Sequence, residues 1–383
     1  MNLGVYIQVP FCQTKCTYCN FHTGVVSRDR YQPYAEAVCR EIASVKFPDA
    51  PTIDTVYFGG GTPSLLDPSA LAEILGTLWR NYCVEAVEIT IEADPETITP
   101  EKARAWLAAG FNRISLGAQS FDDRELQSAG RMHRRADIYR AVELLRSAGF
   151  PNISMDLIAG LPHQTAESWE ESVSGLLRIR PEHVSIYMLE IDEGSRLGKE
   201  RLAGGGRYSA GAIPCDDAIA DFYESARARL AGEGYEHYEI SNWALAGCAS
   251  RHNLKYWRRE PYLGFGAGAH SFDGRTRWAN AHDAARYTTM VGQGFSPREQ
   301  IEAVTPAQAL EEEFFLGLRQ LEGIDLARIE RDYGPRLHER VANLRSRIAA
   351  LRSGGLLEME AERLRLSPGR LTVSNEVFAE FLG

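Results

Sequence analysis

The stretch Cys12-Gln13-Thr14-Lys15-Cys16-Thr17-Tyr18-Cys19 follows an apolar run, Leu3 to Val9, that reads as a strand. A single cysteine is ordinarily a small apolar core residue. Three thiols spaced C-x3-C-x2-C among polar neighbours are better explained as thiolates turned to one inorganic centre. Thiolates suit zinc or iron–sulfur clusters. His22 stands close enough after Cys19 to complete a zinc site of three thiolates and one imidazole. Structural zinc ligands usually come as two separated pairs, whereas these three lie on one strand-to-helix loop. Three thiolates on a four-iron cluster leave one iron open to chelate a small molecule, to which a reduced cluster can pass an electron.

The chain around this loop is of ordinary globular composition. Its 383 residues carry 42 Lys and Arg against 52 Asp and Glu, a net charge of −10. That balance argues against a broad nucleic-acid or anionic-membrane surface, because phosphate binding runs on Lys and Arg. No apolar run is long enough to span a bilayer, and Met1-Asn2-Leu3-Gly4 opens neither a basic nor a cleavable apolar segment. A cytoplasmic location is expected. Seven cysteines, an odd number, do not form a disulfide framework. Cys39, Cys83, Cys215 and Cys248 are read as ordinary thiols.

Strand-like and helical patterns alternate up to about residue 235. Strands are expected at Val5–Val9, Thr55–Phe58, Val87–Ile91, Arg113–Leu116, Ile153–Ile158 and Val184–Leu189. Helical spacing appears at Tyr31–Val45, Pro68–Arg80, Pro100–Ala109, Ala136–Ala148 and Glu167–Ile179. Near-continuous apolar strands between helices imply parallel βα units, here a partial (β/α)6 TIM-like barrel. Gly110 and Gly149 stand where helix C-terminal caps belong. Ligands of such sheets bind at the carboxyl ends of the strands, where the cysteine loop sits.

Residues 194–214, with Gly204-Gly205-Gly206, read as a flexible loop, followed by a helix at Asp216–Ala231. The expected domains are a barrel over 1–235, an extension over 236–300 and a small C-terminal α+β domain over 301–383. In the last, a helix starts at Thr305-Pro306 and is expected to end at Gly323. A second spans Pro335–Arg352, a hairpin turns at Pro368-Gly369, and a short helix covers Glu376–Leu382. Helices followed by a hairpin suggest a winged-helix-like module. With 11 Arg against 14 Asp and Glu over 301–383, it is poorly charged for DNA.

A second motif follows strand two: Gly59-Gly60-Gly61-Thr62-Pro63. Without side chains, a ligand can approach this backbone closely. A phosphate loop would want a lysine after the glycines, and none is present. Further polar residues stand where apolar strands end: Glu92, Gln119 and, inside strand five, Asp156. A carboxylate in an apolar strand costs several kcal/mol unless compensated. Arg131 is the expected partner of Asp156.

The C-x3-C-x2-C spacing is the signature of radical SAM proteins. Tyr6-x-x-Val9-Pro10-Phe11, the Gly59–Pro63 motif, Gly117-x-Gln119-Ser120-Phe121 and Asp156-Leu157-Ile158-x-Gly160-Leu161-Pro162 resemble the oxygen-independent coproporphyrinogen oxidase superfamily over nearly the whole chain. The resemblance implies a 4Fe-4S cluster on Cys12, Cys16 and Cys19. It also implies S-adenosylmethionine contacts from Tyr6, Tyr18, Gly60, Gly61, Thr62, Glu92, Gln119, Arg131 and Asp156. The oxidases continue their motif with a fourth cysteine, whereas this chain reads Cys19-Asn20-Phe21 and enters directly at strand one. Instead it carries His252-Asn253-Leu254-Lys255-Tyr256-Trp257, which resembles the H-N-x-x-Y-W motif of the HemW heme chaperones. That family implies heme on His252, with Tyr256 and Trp257 against the porphyrin. It also implies an electron donor for the cluster, a heme-acceptor protein, and membrane contact only through that acceptor. The enzyme alternative is a radical oxidase or methyltransferase acting on a porphyrinogen.

Overall fold

The computed structural model describes residues 2–46 and 51–382. Its centre is six parallel strands in chain order: β1 (Asn2–Val9), β2 (Thr52–Gly60), β3 (Cys83–Ala93), β4 (Arg113–Gln119), β5 (Asn152–Ala159) and β6 (His183–Met188). Helices α1 (Tyr31–Ser44), α2 (Pro68–Asn81), α3 (Pro100–Ala109), α4 (Asp123–Ser128), α5 (Arg135–Ala148) and α6 (Ala166–Ile179) connect them. Each expected strand and helix is present, lengthened or shortened by a few residues. The strands are apolar because both faces are covered: Val5, Ile7, Val56, Phe58, Ile91, Ile114 and Leu157 are fully buried. Gly110 and Gly149 end α3 and α5 at φ 108° and 100°, a left-handed conformation that side chains resist. Parallel register sets Val9 beside Gly60 and Phe58 beside Ile91, so the strand ends form one rim.

Residues 194–214 are not the open loop expected from the glycines. They hold α7 (Arg196–Leu202), whose first turn is capped by the Ser195 hydroxyl accepting from Gly198 N at 2.9 Å. Burial of Leu197 anchors it. Helix α8 (Asp216–Gly232) follows. The chain then lengthens the sheet on both flanks. β7 (Glu236–Glu239) and β8 (Asn242–Ala244) add antiparallel strands beyond β6. After α9 (Arg251–Trp257), β9 (Tyr262–Phe265) pairs in parallel with β1. β10 (His270–Phe272), β11 (Thr276–Asn280), α10 (Ala284–Gly292) and β12 (Arg298–Ala303) complete that flank, giving twelve strands in one sheet.

The C-terminal module contains α11 (Pro306–Phe315), β13 (Ile324–Asp325), α12 (Leu326–Tyr333), α13 (His338–Ser353), β14 (Leu357–Glu360), β15 (Arg363–Leu366) and α14 (Ser374–Ala379). Helices and a three-stranded sheet ordered β13-β15-β14 form the winged-helix-like arrangement. Three details differ from expectation. Helix α11 ends at Phe315 and passes into a 3-10 turn at Gly317–Arg319, where Gly317 packs so closely on Ile324 that a Cβ would sit 2.4 Å from it. Gly323 instead serves a backbone approach, with Leu364 O 2.2 Å from a would-be Cβ. The hairpin turns at Ala361, with φ 54°, while Pro368 starts a 3-10 helix at Pro368–Val373. The module is fixed to the barrel by Arg259, which donates to Glu312 at 2.7 Å and Glu313 at 3.3 Å. Among the described residues no helix is long and apolar enough to cross a membrane.

Helix α9 closes the barrel interior at the end opposite the cysteine loop. Its N-terminus is held by Glu88 of β3, which accepts from Ser250 Oγ at 3.3 Å, Arg251 N at 2.9 Å and His252 N at 3.0 Å. Lys255 reaches Asp54 at 2.8 Å and Glu260 at 3.0 Å. Removing Glu88 leaves three donors without their acceptor. Glu88→Ala is expected to cost about 2 kcal/mol and to speed amide hydrogen exchange selectively over 250–257; unchanged exchange there would show that Glu88 does not hold the helix.

Candidate cofactor site

Cys12, Cys16 and Cys19 lie on one wall of a cavity of about 500 Å³ at the carboxyl ends of β1 to β6. Backbone ties set their loop. Cys12 N donates to Gly24 O at 3.0 Å, Thr17 N to Ala129 O at 3.0 Å, and Leu197 N of α7 to Thr17 O at 2.8 Å. The glycine segment after β2 lies against this loop. A Cβ on Gly61 would meet Phe11 O at 2.4 Å and Cys12 Sγ at 3.0 Å, so only glycine fits there. The N–H groups of this edge are all engaged: Gly60 with Glu92, Gly61 with Val9 O, Thr62 with Phe11 O. Any further polar contact from it must come from carbonyl oxygen, which suits an ammonium group rather than a phosphate.

The floor is acidic. Glu92 accepts from Tyr57 Oη at 2.8 Å and Gly60 N at 3.1 Å. Burial pushes its carboxyl up to about 7, and the nearby Asp156 charge pushes the same way. Burial likewise raises Asp156 to about 6 against the lowering effects of Ser185 and Arg113. One Asp156 oxygen accepts from Ser115 Oγ at 3.5 Å, and Oδ1 is buried without a partner. The expected pairing of Asp156 with Arg131 is not the one formed. Arg131 pairs with Asp94, which sits two residues past Glu92 and accepts also from Thr62 Oγ1 at 3.0 Å. Its guanidinium further contacts Gly117 O at 3.1 Å and Cys16 Sγ at 3.4 Å. Gly117 permits this, because a Cβ there would come within 3.2 Å of Arg131.

Tyr18, Gly60, Gly61, Thr62, Glu92, Gln119, Arg131 and Asp156 therefore share the cavity with the three thiols. Gln119 holds φ 65°, a strained value for its residue type, where β4 meets the rim. Tyr6 lies one layer below, donating to Gln8 Oε1 at 2.8 Å and stacked on Tyr57. His22 packs on His282 at 4.5 Å between ring centres and does not line the cavity. Among the described residues no three His, Cys, Asp or Glu side chains converge to enclose a single metal ion.

His252 is not brought to the cavity. It is buried in α9, its Nδ1 2.9 Å from Thr55 Oγ1 and its Nε2 2.9 Å from Tyr256 Oη, with Tyr57 stacked on it. Burial pushes its ring down to about 3, so it is neutral at pH 7. Trp257 carries the Arg319 guanidinium on its face. Sequence reasoning missed Asp94, Tyr57, Arg319 and the C-terminal rim residues Thr372, Ser374 and Asn375. Asp94 was accessible as the next carboxylate past the end of strand three; Tyr57, one residue inside strand two, carried no signal.

A three-thiol loop on the open rim of a parallel βα barrel, against a glycine edge and an acidic floor, defines a radical SAM protein. The model of the radical SAM superfamily matches residues 6–174, and that of the HemN C-terminal domain matches 304–369. The heme chaperone HemW of Bacillus subtilis (strain 168) is 34% identical over 99% of both chains. That of Escherichia coli (strain K12) is 31% identical over 82% of this chain and 81% of its own. The chain belongs to the HemW heme chaperone family. Coproporphyrinogen III oxidase (HemN) from Escherichia coli superposes with a TM-score of 0.85 over 99% of this chain and 89% of that one; at 22% identity this establishes the fold.

Membership in the radical SAM superfamily implies a 4Fe-4S cluster and S-adenosylmethionine, and the residues present fit both. Three unbridged thiols face a cavity whose floor holds an unpartnered carboxylate oxygen. A cationic ligand over Glu92 and Asp156 would favour their ionised forms. Both have folded-state values above the unfolded ones, so the ligand-free chain loses stability as pH rises from the ordinary carboxylate range up to about 6 for Asp156 and about 7 for Glu92. A bound cation offsets that loss. S-adenosylmethionine affinity is therefore expected to rise between pH 5 and about 7 and then level, with proton release at pH 6. Calorimetry in buffers of different ionisation enthalpy measures this; uptake without proton release would place the cation elsewhere.

Proposed function

We propose that this chain carries a 4Fe-4S cluster on Cys12, Cys16 and Cys19, binds S-adenosylmethionine across the acidic floor, and takes up heme to hand it to an acceptor protein. The observation that carries the cofactor reading is the gathering of three thiols and two charge-deficient carboxylates, Glu92 and Asp156, in one cavity. When bound, the cluster and S-adenosylmethionine supply one-electron reduction of the sulfonium. The chain's own groups orient and desolvate the cofactor. Carbonyls of the Gly60–Gly61 edge take its ammonium, and Arg131, already paired with Asp94, offers its remaining edge to the carboxylate. Gln119 and Asp156 take the more distant polar groups. An electron donor for the cluster is required, and work in the cytoplasm fits thiolate ligands.

The heme reading is supported by kinship with proteins named heme chaperones and by the His252–Trp257 segment. His252 is neutral, the form that can ligate iron. Iron ligation requires the ring to leave Thr55 or Tyr256, so heme uptake entails movement of α9. The competing reading, a radical enzyme acting on a porphyrinogen, is favoured by the room left in the cavity beyond its acidic floor, and disfavoured by Phe21 in place of a fourth cysteine.

Anaerobically reconstituted protein titrated with heme tests the proposal. The parent is expected to develop a Soret band and to leave coproporphyrinogen unconsumed. Cys16→Ala should lose the brown cluster chromophore and keep the Soret band, whereas His252→Ala should lose or shift it. If His252→Ala binds heme like the parent, His252 is a packed structural residue; turnover of coproporphyrinogen would favour the enzyme.

A further inference from the structure

Above its acidic floor the cavity changes character. The outer wall is apolar, built from Ile158, Met188, Leu189 and Ile240, and the rim carries Thr372, Ser374 and Asn375 of the C-terminal module. Arg319, which follows α11 into the module, also reaches this lining. Its guanidinium lies on the Trp257 ring, 4.4 Å from the centroid. One terminal nitrogen stands 3.6 Å from the fully buried Glu239, whose carboxylate already accepts from Ser241 N at 3.1 Å and from Asn242. The Arg319 Nε is buried and has no hydrogen-bond partner.

A guanidinium held by its face, with its Nε unengaged, keeps donor capacity for a planar oxygen acceptor. The cavity's other arginine, Arg131, is occupied by Asp94, Gly117 and Cys16. The wall near Arg319 is apolar, which suits a flat apolar body. The ligand that fits is a flat apolar molecule bearing a carboxylate.

We propose that Arg319, held on Trp257 and lining the cavity, binds a propionate of heme. This deepens the heme reading above and rests on it. Trp257 belongs to the same helix as His252, so the guanidinium joins the module, the cavity rim and the heme-binding segment at one point.

The test compares heme with its dimethyl ester, which keeps the iron and macrocycle and lacks the carboxylates. The parent is expected to bind the ester roughly 10- to 100-fold more weakly, the range for a lost hydrogen bond to a charged group. Arg319→Gln should weaken heme by a similar factor and leave ester affinity alone. Arg319→Lys, which keeps the charge beside Glu239 and loses the planar fork, should fall between. S-adenosylmethionine binding, followed by calorimetry, should not change. Equal affinity of the parent for heme and ester overturns the inference, as does parental heme affinity in Arg319→Gln. A parent that binds neither defeats the heme reading itself, and this inference with it. If Arg319→Gln does not fold, the heme and ester comparison on the parent decides alone.

Discussion

Three carboxylates at the floor of one cavity, Glu92, Asp94 and Asp156, with Arg131 paired to only one of them, set the charge of the site. Asp94 takes Arg131. Glu92 and Asp156 are left with hydroxyl and amide donors only, and their ionisation is correspondingly resisted. Burying charge of one sign is costly unless a counter-charge arrives. The cavity is therefore built to receive a cation, and S-adenosylmethionine brings two positive groups, a sulfonium and an ammonium. The neighbouring backbone agrees, because the glycine edge has its donors engaged and retains carbonyl oxygens. Close approach of that edge to the cysteine loop, possible only without a Cβ at Gly61, sets the glycine edge beside the thiols.

The far end of the barrel interior is coupled to this floor through a thin layer of rings. Glu92 accepts from Tyr57, and Tyr57 stacks on His252 at 5.3 Å between ring centres. Helix α9 is thus both the plug of the barrel and the carrier of the proposed heme ligand. Its anchors are polar and few: Glu88 at its N-terminus, Lys255 between Asp54 and Glu260, and Arg319 on Trp257.

The barrel was legible because its signals are local and periodic: apolar strands, helical spacing, and glycines at 110 and 149 where helices must stop. The cavity's cofactor residues were legible because they cluster at strand ends, where topology alone brings them together. Features that depend on through-space choice were not. Arg131 had two carboxylates within reach, and nothing in the chain order says that Asp94 takes it. Asp156 was expected to gain that cation and instead keeps serine hydroxyls. Helix α7 was obscured by three glycines although Ser195 and Leu197 marked it. The flanking strands 236–303 are short, and their pairing partners lie across the chain, β9 against β1 above all. The motif around His252 was visible as a motif; that its histidine is enclosed by Thr55 and Tyr256 is a consequence of where α9 packs.

The thiol loop and the acidic floor line one cavity and act as one site. Electron paramagnetic resonance of the anaerobically reconstituted, reduced protein, recorded with and without S-adenosylmethionine, tests it most directly. One 4Fe-4S signal per chain is predicted, shifted on addition of S-adenosylmethionine in the parent and much less responsive in Asp156→Ala with its cluster intact. A parent cluster signal indifferent to S-adenosylmethionine would contradict the claim.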